Sequence, residues 1–358
     1  MLKDIKFTTL ILLTCLFFIG CADSIEMPQV TDTNENTSNS LSMLRASTNG
    51  STYIKNLSNA LDHVNYYKYD NIFNRGVAKT DKNVAAYHMQ GISYWNGYYY
   101  ISRSRKPEEN DQQLLILDES LNSITHAITL DTYSHHPSSL QIYNGILAIT
   151  FSDPDMLKFY DVTQSPTQPQ FKAQLSNAGG IGVGITEYND NYLVATYTAR
   201  DGGITFRLFD KSFNLVEEKE WHASNQDKSN WYPYKTWQDD WSSNGYENLN
   251  LIKEQTSPAS PPNYYLIMYH NDPDRLDVFY LTMNGTDLAN LRVTMVRDIV
   301  LEKPVDGGFR MGAGLAISDN NERLRFFAVR KHIYPEYSFN IMTQYNSHPW
   351  EKEQFLSI

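Results

Sequence analysis

The sequence predicts an all-β fold, a β-propeller of five blades with four antiparallel strands in each and six blades as the alternative count. Three observations carry that prediction. One strand-forming phrase recurs, as Gly91-Ile-Ser-Tyr-Trp-Asn-Gly-Tyr-Tyr-Tyr-Ile-Ser102, Ser139-Leu-Gln-Ile-Tyr-Asn-Gly-Ile-Leu-Ala-Ile-Thr150 and Gly184-Ile-Thr-Glu-Tyr-Asn-Asp-Asn-Tyr-Leu-Val-Ala-Thr196. Each copy is an alternating run, a turn on Asn-Gly or Asn-Asp-Asn, and a second run rich in aromatic and β-branched residues, which is the pattern of a β-hairpin. Two degenerate copies follow, and aligned starts at Gly91, Ser139, Gly184, Asn248 and Gly314 fall about 45 to 65 residues apart, the length of one propeller blade. The chain also holds 25 Tyr, 16 Phe and 6 Trp without any long helical periodicity. A single hairpin cannot bury its own apolar faces, so repetition implies stacked units.

Taken in order, the chain opens on a targeting segment. Lys3 and Lys6 form a basic start, and Phe7 to Ile19 is an almost uninterrupted apolar stretch. It is shorter than the roughly 20 residues a membrane-spanning helix needs, but suits the core of a signal peptide. The stretch ends Leu16-Phe-Phe-Ile-Gly-Cys21, and the small residue before cysteine resembles the lipobox of bacterial lipoproteins. Phe18 is less usual there than leucine. The resemblance implies a signal peptide over residues 1–20, cleavage after Gly20 and lipid on Cys21. It also implies export to the bacterial envelope, anchored by lipid alone. Ala22 follows the cysteine in place of an inner-membrane retention aspartate, which favours the outer membrane. Cys15 and Cys21 are the two cysteines, so no disulfide is expected in the exported part. Residues 21–50, rich in Ser, Thr, Asn and Asp, read as a flexible tether, and residues 51–358 as one propeller domain.

Within that domain the hairpins are each followed by a third strand: Leu114–Asp118, Leu157–Asp161, Phe206–Asp210, Leu276–Tyr280 and Phe339–Thr343. A fourth, more polar strand follows in most units, as in Ile124–Leu130. The last copy lacks a clear fourth strand, and Tyr66–Val77 is the expected segment to supply it and close the ring. The pattern over residues 66–345 resembles secreted five- and six-bladed propellers, a likeness of architecture on which many functions are built.

Net charge excludes some partners. The chain carries −11 at pH 7, and no basic run interleaves with aromatics, so nucleic acid is not an expected ligand. An acidic surface also opposes electrostatic docking on anionic lipid.

In a propeller the first strand of each blade lines the channel, and its leading residues gather at one mouth. The alignment puts His88 and His136 at one matched position, three residues before Gly91 and Ser139. Two imidazoles on one rim suit metal binding or proton transfer; the ordinary alternative is that each hydrogen-bonds a neighbouring blade. Gln90 and Glu247 share a second matched position, and Arg310 precedes the fifth copy. Together these five suit a polar small molecule, with acid–base work open to Glu247 if it is desolvated. A one-residue slip in register would turn each side chain to the other face.

Five-bladed glycosidases use two carboxylates flanking the scissile bond, usually with an aspartate on the first inner strand. Here His88 and Gln90 stand at that place, which argues against their mechanism. No Gly-x-Ser-x-Gly, His-Glu-x-x-His or phosphate-cradling loop is present. Residues 221–246 hold four of the six tryptophans. Trp231, Tyr232, Tyr234, Trp237 and Trp241 suit a stacking platform for sugar rings, or else pack an insertion onto the blades. Asp153, Asp155, Asp272 and Asp274 recur in two Asp-Pro-Asp loops. Turn chemistry explains them, with divalent metal binding the weaker reading and no other cofactor expected. Gly179–Gly184 has no following helix to make a dinucleotide loop, so its use is close backbone approach at the axis.

The readings are therefore a lipid-anchored propeller that binds a polar ligand, best a glycan or cell-wall fragment, at the channel mouth; a hydrolase, lyase or cyclase on the same site; or a protein-interaction scaffold in an envelope complex.

Overall fold

The computed structural model describes residues 52–62, 89–103, 112–118, 123–131, 136–152, 155–198, 203–222, 246–271, 274–300, 309, 312–318, 320–329 and 341–344. They all belong to one compact unit, Leu44–Ile358; the other, Met1–Met43, lies outside them. Among the described residues, every regular element apart from one short helix, α1 (Leu57–Asp62), is a strand.

The strands form an all-β propeller. Blade 1 is β1 (Met89–Trp95), β2 (Tyr98–Arg103), β3 (Gln112–Asp118) and β4 (Ser123–Asp131). Blade 2 is β5 (Pro137–Tyr143), β6 (Ile146–Ser152), β7 (Asp155–Asp161) and β8 (Gln170–Ser176). Blade 3 is β9 (Gly182–Tyr188), β10 (Asn191–Thr198), β11 (Gly203–Phe209) and β12 (Leu215–His222). Blade 4 is β13 (Tyr246–Glu254), β14 (Asn263–Asn271), β15 (Asp274–Thr282) and β16 (Arg292–Val300). Each is an antiparallel meander in chain order. A three-stranded meander follows: β17 (Ala313–Ile317), β18 (Leu324–Val329) and β19 (Ile341–Gln344). The expected five complete blades are thus corrected to four among the described residues. The last copy of the repeat makes only short strands, and its fourth partner is not described; Tyr66–Val77 lies outside the described residues.

The turn chemistry of the repeat explains its hairpins. Asn96, Asn144 and Asn189 adopt φ of 49°, 48° and 46°, followed by Gly97 at 81°, Gly145 at 74° and Asp190 at 61°. Two successive left-handed residues make the turn whose twist matches the flanking strands, and Asn, Asp and Gly tolerate that conformation best. The glycine that opens the first and third phrases has a different cause. A Cβ on Gly91 would stand 2.6 Å from Leu140 N of β5, and one on Gly184 2.6 Å from Leu251 N of β13. These glycines let neighbouring inner strands meet; of the Gly179–Gly184 run, Gly184 does so, whereas Gly179 lies against Phe151 O and Met156 N of blade 2.

Core clusters fill each junction between sheets. Leu114, Ile116, Leu140 and Ile149 join blades 1 and 2; Ala148, Phe159, Val183 and Val194 join 2 and 3. Leu193, Phe206, Leu251 and Leu266 join 3 and 4. Ile267, Val278, Leu315 and Phe326 join blade 4 to the meander, and Ile92, Tyr99 and Phe327 join the meander to blade 1. β17 also pairs parallel with β1 at Gly91↔Ala313. The ring is therefore continuous.

Residues 52–62 strap its turn end. Ile54 N donates to Lys253 O at 2.9 Å, Gln255 N to Ile54 O at 2.8 Å, and Lys55 N to Asn321 O at 2.6 Å. Asn56 caps α1 by accepting from Asn59 N at 2.8 Å, and Glu254 Oε1 accepts from Leu57 N at 2.7 Å. Ile54, Leu57, Ala60 and Leu61 are buried in the cluster between blade 4 and the meander.

Candidate functional site

The mouth opposite the strap gathers the starts of the inner strands, and three of them carry the same irregularity. The ladder between β1 and β2 slips one residue between Met89 and Ile92. That between β5 and β6 slips between Pro137 and Leu140, and that between β13 and β14 between Tyr246 and Asn248. An extra residue bends a strand and re-aims its side chain, and such bulges cluster beside functional sites. Gln90 and Glu247 fall in these bulges, so the position matched from the repeat is matched in the backbone too. Ser138 is the corresponding residue of blade 2.

Gln90 links three blades. Its Nε2 lies 3.4 Å from His136 Nε2 of blade 2, and its backbone oxygen accepts from Asn248 Nδ2 of blade 4 at 2.9 Å. With the amide as donor, His136 Nε2 is the acceptor and the ring proton sits on Nδ1. His136 is half-buried; its own carbonyl accepts from Ser152 N at 3.0 Å and Ser138 Oγ at 3.4 Å. His136 therefore stands beside Gln90 of the neighbouring blade and within hydrogen-bonding reach of it. Ser102 Oγ adds a further crossing, donating to Ser138 O at 2.5 Å and accepting from Gly91 N at 2.8 Å.

Beside this mouth lies a buried polar group that sequence reasoning missed. Tyr246 Oη donates to Asp277 Oδ2, while Arg275 holds the same carboxylate through Nε to Oδ1 at 2.8 Å and Nη2 to Oδ2 at 3.0 Å. The His270 ring packs edge-on to Tyr246, centroids 5.5 Å apart. Asp277 has no exposed surface. Burial pushes its carboxyl above the ordinary range, against the opposing pull of Arg275, Tyr246 and His270. The available signal was the alternation Arg275-Leu-Asp277-Val, which reads as a half-exposed strand until the next blade covers it.

Other expected sites fall differently. His88, Arg310, Trp231, Tyr232, Tyr234, Trp237 and Trp241 lie outside the described residues, as do Asp153, Asp272 and the whole segment bearing Cys21; so do the side chains of Glu247 and Asp274. Of the tryptophan-rich region, Trp221 and Tyr246 are described, and both are buried where blade 3 packs on blade 4. Asp155 is exposed, and its backbone oxygen accepts from Asn177 N at 2.8 Å, which continues the β7–β8 ladder. Among the described residues no group of three or more His, Cys, Asp or Glu side chains is placed to hold a metal.

At the far end of the channel Glu187 accepts from Tyr143 Oη at 3.3 Å and pairs with Lys211 at 2.6 Å and Lys253 at 3.9 Å. Burial would raise its carboxyl, but the two lysines and the tyrosine overcome it and hold the group below its ordinary value.

No protein-family model matches the chain, and no characterised protein matches its sequence. Among solved structures it is similar to a bifunctional GH43-CE protein of Bacteroides eggerthii, with 11% identity and a TM-score of 0.41, over 73% of this chain and 33% of that one. It is also similar to an α-L-arabinofuranosidase from Lactobacillus brevis, with 11% identity and a TM-score of 0.43, over 72% of this chain and 90% of that one. A protein of unknown function from Bacteroides caccae is 10% identical with a TM-score of 0.33, over 74% of this chain and 73% of that one.

Proposed function

We propose that this chain is a lipid-anchored cell-envelope propeller that binds a polar ligand, a glycan or cell-wall fragment, at the bulged mouth of its channel. The observation that carries the reading is the bulge repeated on β1, β5 and β13. It sets Gln90, Ser138 and the backbone of Glu247 off the regular ladder at one end of the ring. The ligand meets amide, hydroxyl and imidazole groups there, with His88, Glu247, Arg310 and the Trp231–Trp241 stretch completing the site. The Leu16–Cys21 motif supports the anchor. The three-stranded meander serves as a fifth blade, completed by a strand outside the described residues.

The enzyme reading uses the same mouth, with His88 or His136 and Glu247 as acid–base pair. The scaffold reading has less support. Among the described residues the exposed large apolar side chains, Phe171, Leu215, Val216 and Val296, are spread over the outer strands of three blades.

A glycan array and thermal-shift screen of the purified protein, beside the Gln90→Ala/His136→Ala variant, tests this. The expected result is a glycan that stabilises wild type, binds the variant at least several-fold more weakly, and is recovered unchanged after incubation. Consumption of the glycan by wild type alone would establish the enzyme reading instead. Absence of any hit would leave the small-ligand reading without support and put the scaffold first.

A further inference from the structure

The strapped end of the channel holds a second polar site, apart from the mouth. A cavity of about 20 Å³ lies there, with room for one water-sized occupant. All five inner strands reach it, through Trp95, Tyr143, Thr186, Lys253 and Ile317, and Thr52 of the strap borders it as well.

Regular ladders bring Thr186 and Lys253 together in this cavity. A Cβ on Gly182 would stand 3.2 Å from the Leu249 side chain, and one on Gly184 2.6 Å from Leu251 N. β9 and β13 therefore advance side by side, two residues at a time, and the next pair is Thr186 and Lys253. No register shift interrupts this stretch, because the slip in β13 falls earlier, between Tyr246 and Asn248.

Both polar groups call for a partner. Thr186 is 1% exposed, and its Oγ1 makes no hydrogen bond with a described residue. The Lys253 side chain is 17% exposed, and the carboxylate it faces, Glu187, is 3.9 Å away, beyond hydrogen-bonding range. Glu187 is already engaged by Lys211 at 2.6 Å and by the Tyr143 hydroxyl at 3.3 Å.

Size, charge and hydrogen bonding together narrow the occupant. The volume excludes a sugar, a carboxylate or a phosphate. Two ammonium groups, Lys211 and Lys253, stand against the one Glu187 carboxylate, and the positive excess opposes a cation. Lys253 and Thr186 both have protons to donate, and a largely buried ammonium calls for a compensating negative charge. A monatomic anion meets all three conditions, and at neutral pH that is a halide.

We infer that Thr186 and Lys253 hold a chloride ion at the strapped end of the channel, with Thr52 bordering it from the strap. The ion bridges β9 and β13 beneath the segment whose Ile54 N donates to Lys253 O at 2.9 Å. Its role is to stabilise that end of the ring, and it stands independently of what the mouth binds.

The test is thermal melting of the purified protein in sodium chloride and in sodium gluconate at matched concentrations, on wild type, Thr186→Val and Lys253→Met, beside a bromide soak of wild-type crystals. Thr186→Val keeps the side-chain shape and removes a buried hydroxyl with no described partner, so it folds, and its melt in gluconate verifies this. The expected result is a wild-type midpoint that rises, relative to gluconate, by about 2–4 °C for each tenfold step once chloride exceeds its dissociation constant. Both variants should lose that difference, and the anomalous signal of bromide should peak between Thr186 Oγ1 and Lys253 Nζ. A chloride response undiminished in both variants would overturn the site. So would a bromide map in which the cavity holds only water, or wild-type midpoints that are the same in the two salts.

Discussion

Asp277 shows how much a single position in this fold depends on its partners. Its carboxylate is fully buried between blades and is held by Arg275 on its own strand and Tyr246 on an inner strand. Such a pair contributes little net stability when whole, but leaves an uncompensated charge when halved. Asp277→Ala is expected to destabilise the fold by about 3 kcal/mol, read by chemical denaturation. Tyr246→Phe, which removes one hydrogen bond, is expected to cost about 1 kcal/mol. Glu187 makes the opposite case at the other end. Its folded pKa is lowered, so its contribution is full above the unfolded carboxylate value and is lost as pH falls through the folded one. Half-exposed Lys211 screens the pair, so Glu187→Gln is expected to cost only about 0.5 kcal/mol at pH 7. The gap to wild type should close below about pH 4, in denaturation curves taken across that range. At this scale the sequence was informative where a residue repeated and silent where it did not. Gln90 and Glu247 could be matched to each other because both precede the recurring phrase, and both positions fall in ladder bulges. Gln141 reads as an ordinary polar position, since nothing local marks that it bonds the backbone of Leu251 and Ile185 on two other blades.

The inner strand and the strap are the elements that set the site. The phrase of the repeat was legible because its two halves have separate physical causes. Asn-Gly supplies the left-handed turn, and the leading glycine supplies the close approach to the next inner strand. Gly91→Val is therefore expected to push β1 from β5, at a cost of about 2–3 kcal/mol by thermal or chemical denaturation. Gly97→Ala, with open space around it, strains only the turn backbone and should cost about 1 kcal/mol. The strap was not legible. Ile54, Leu57 and Leu61 are sparse apolar residues in polar sequence, and only their long-range pairing with Lys253, Glu254 and Asn321 gives them a role. Ile54 has no exposed surface, so Ile54→Asp would bury an unpaired charge. A loss of about 3 kcal/mol or more is expected. An unchanged melting midpoint would show that the strap does not hold the ring's turn end.

At the scale of the molecule, period and composition were enough to name a propeller, and the complete-blade count was not. The first four copies of the repeat carry full-length strands that give complete sheets. The last carries short ones, and its fourth partner is not among the described residues. The ring has five core junctions, a strapped end and one bulged mouth, and this asymmetry between its two ends underlies the functional reading. Hydrogen exchange of the purified protein, with and without the best glycan from the array, tests that reading most directly. The account predicts new protection concentrated at residues 89–91, 136–139 and 246–248, around the mouth. Protection confined to the outer strands β4, β8, β12 and β16, with the mouth unchanged, would contradict it.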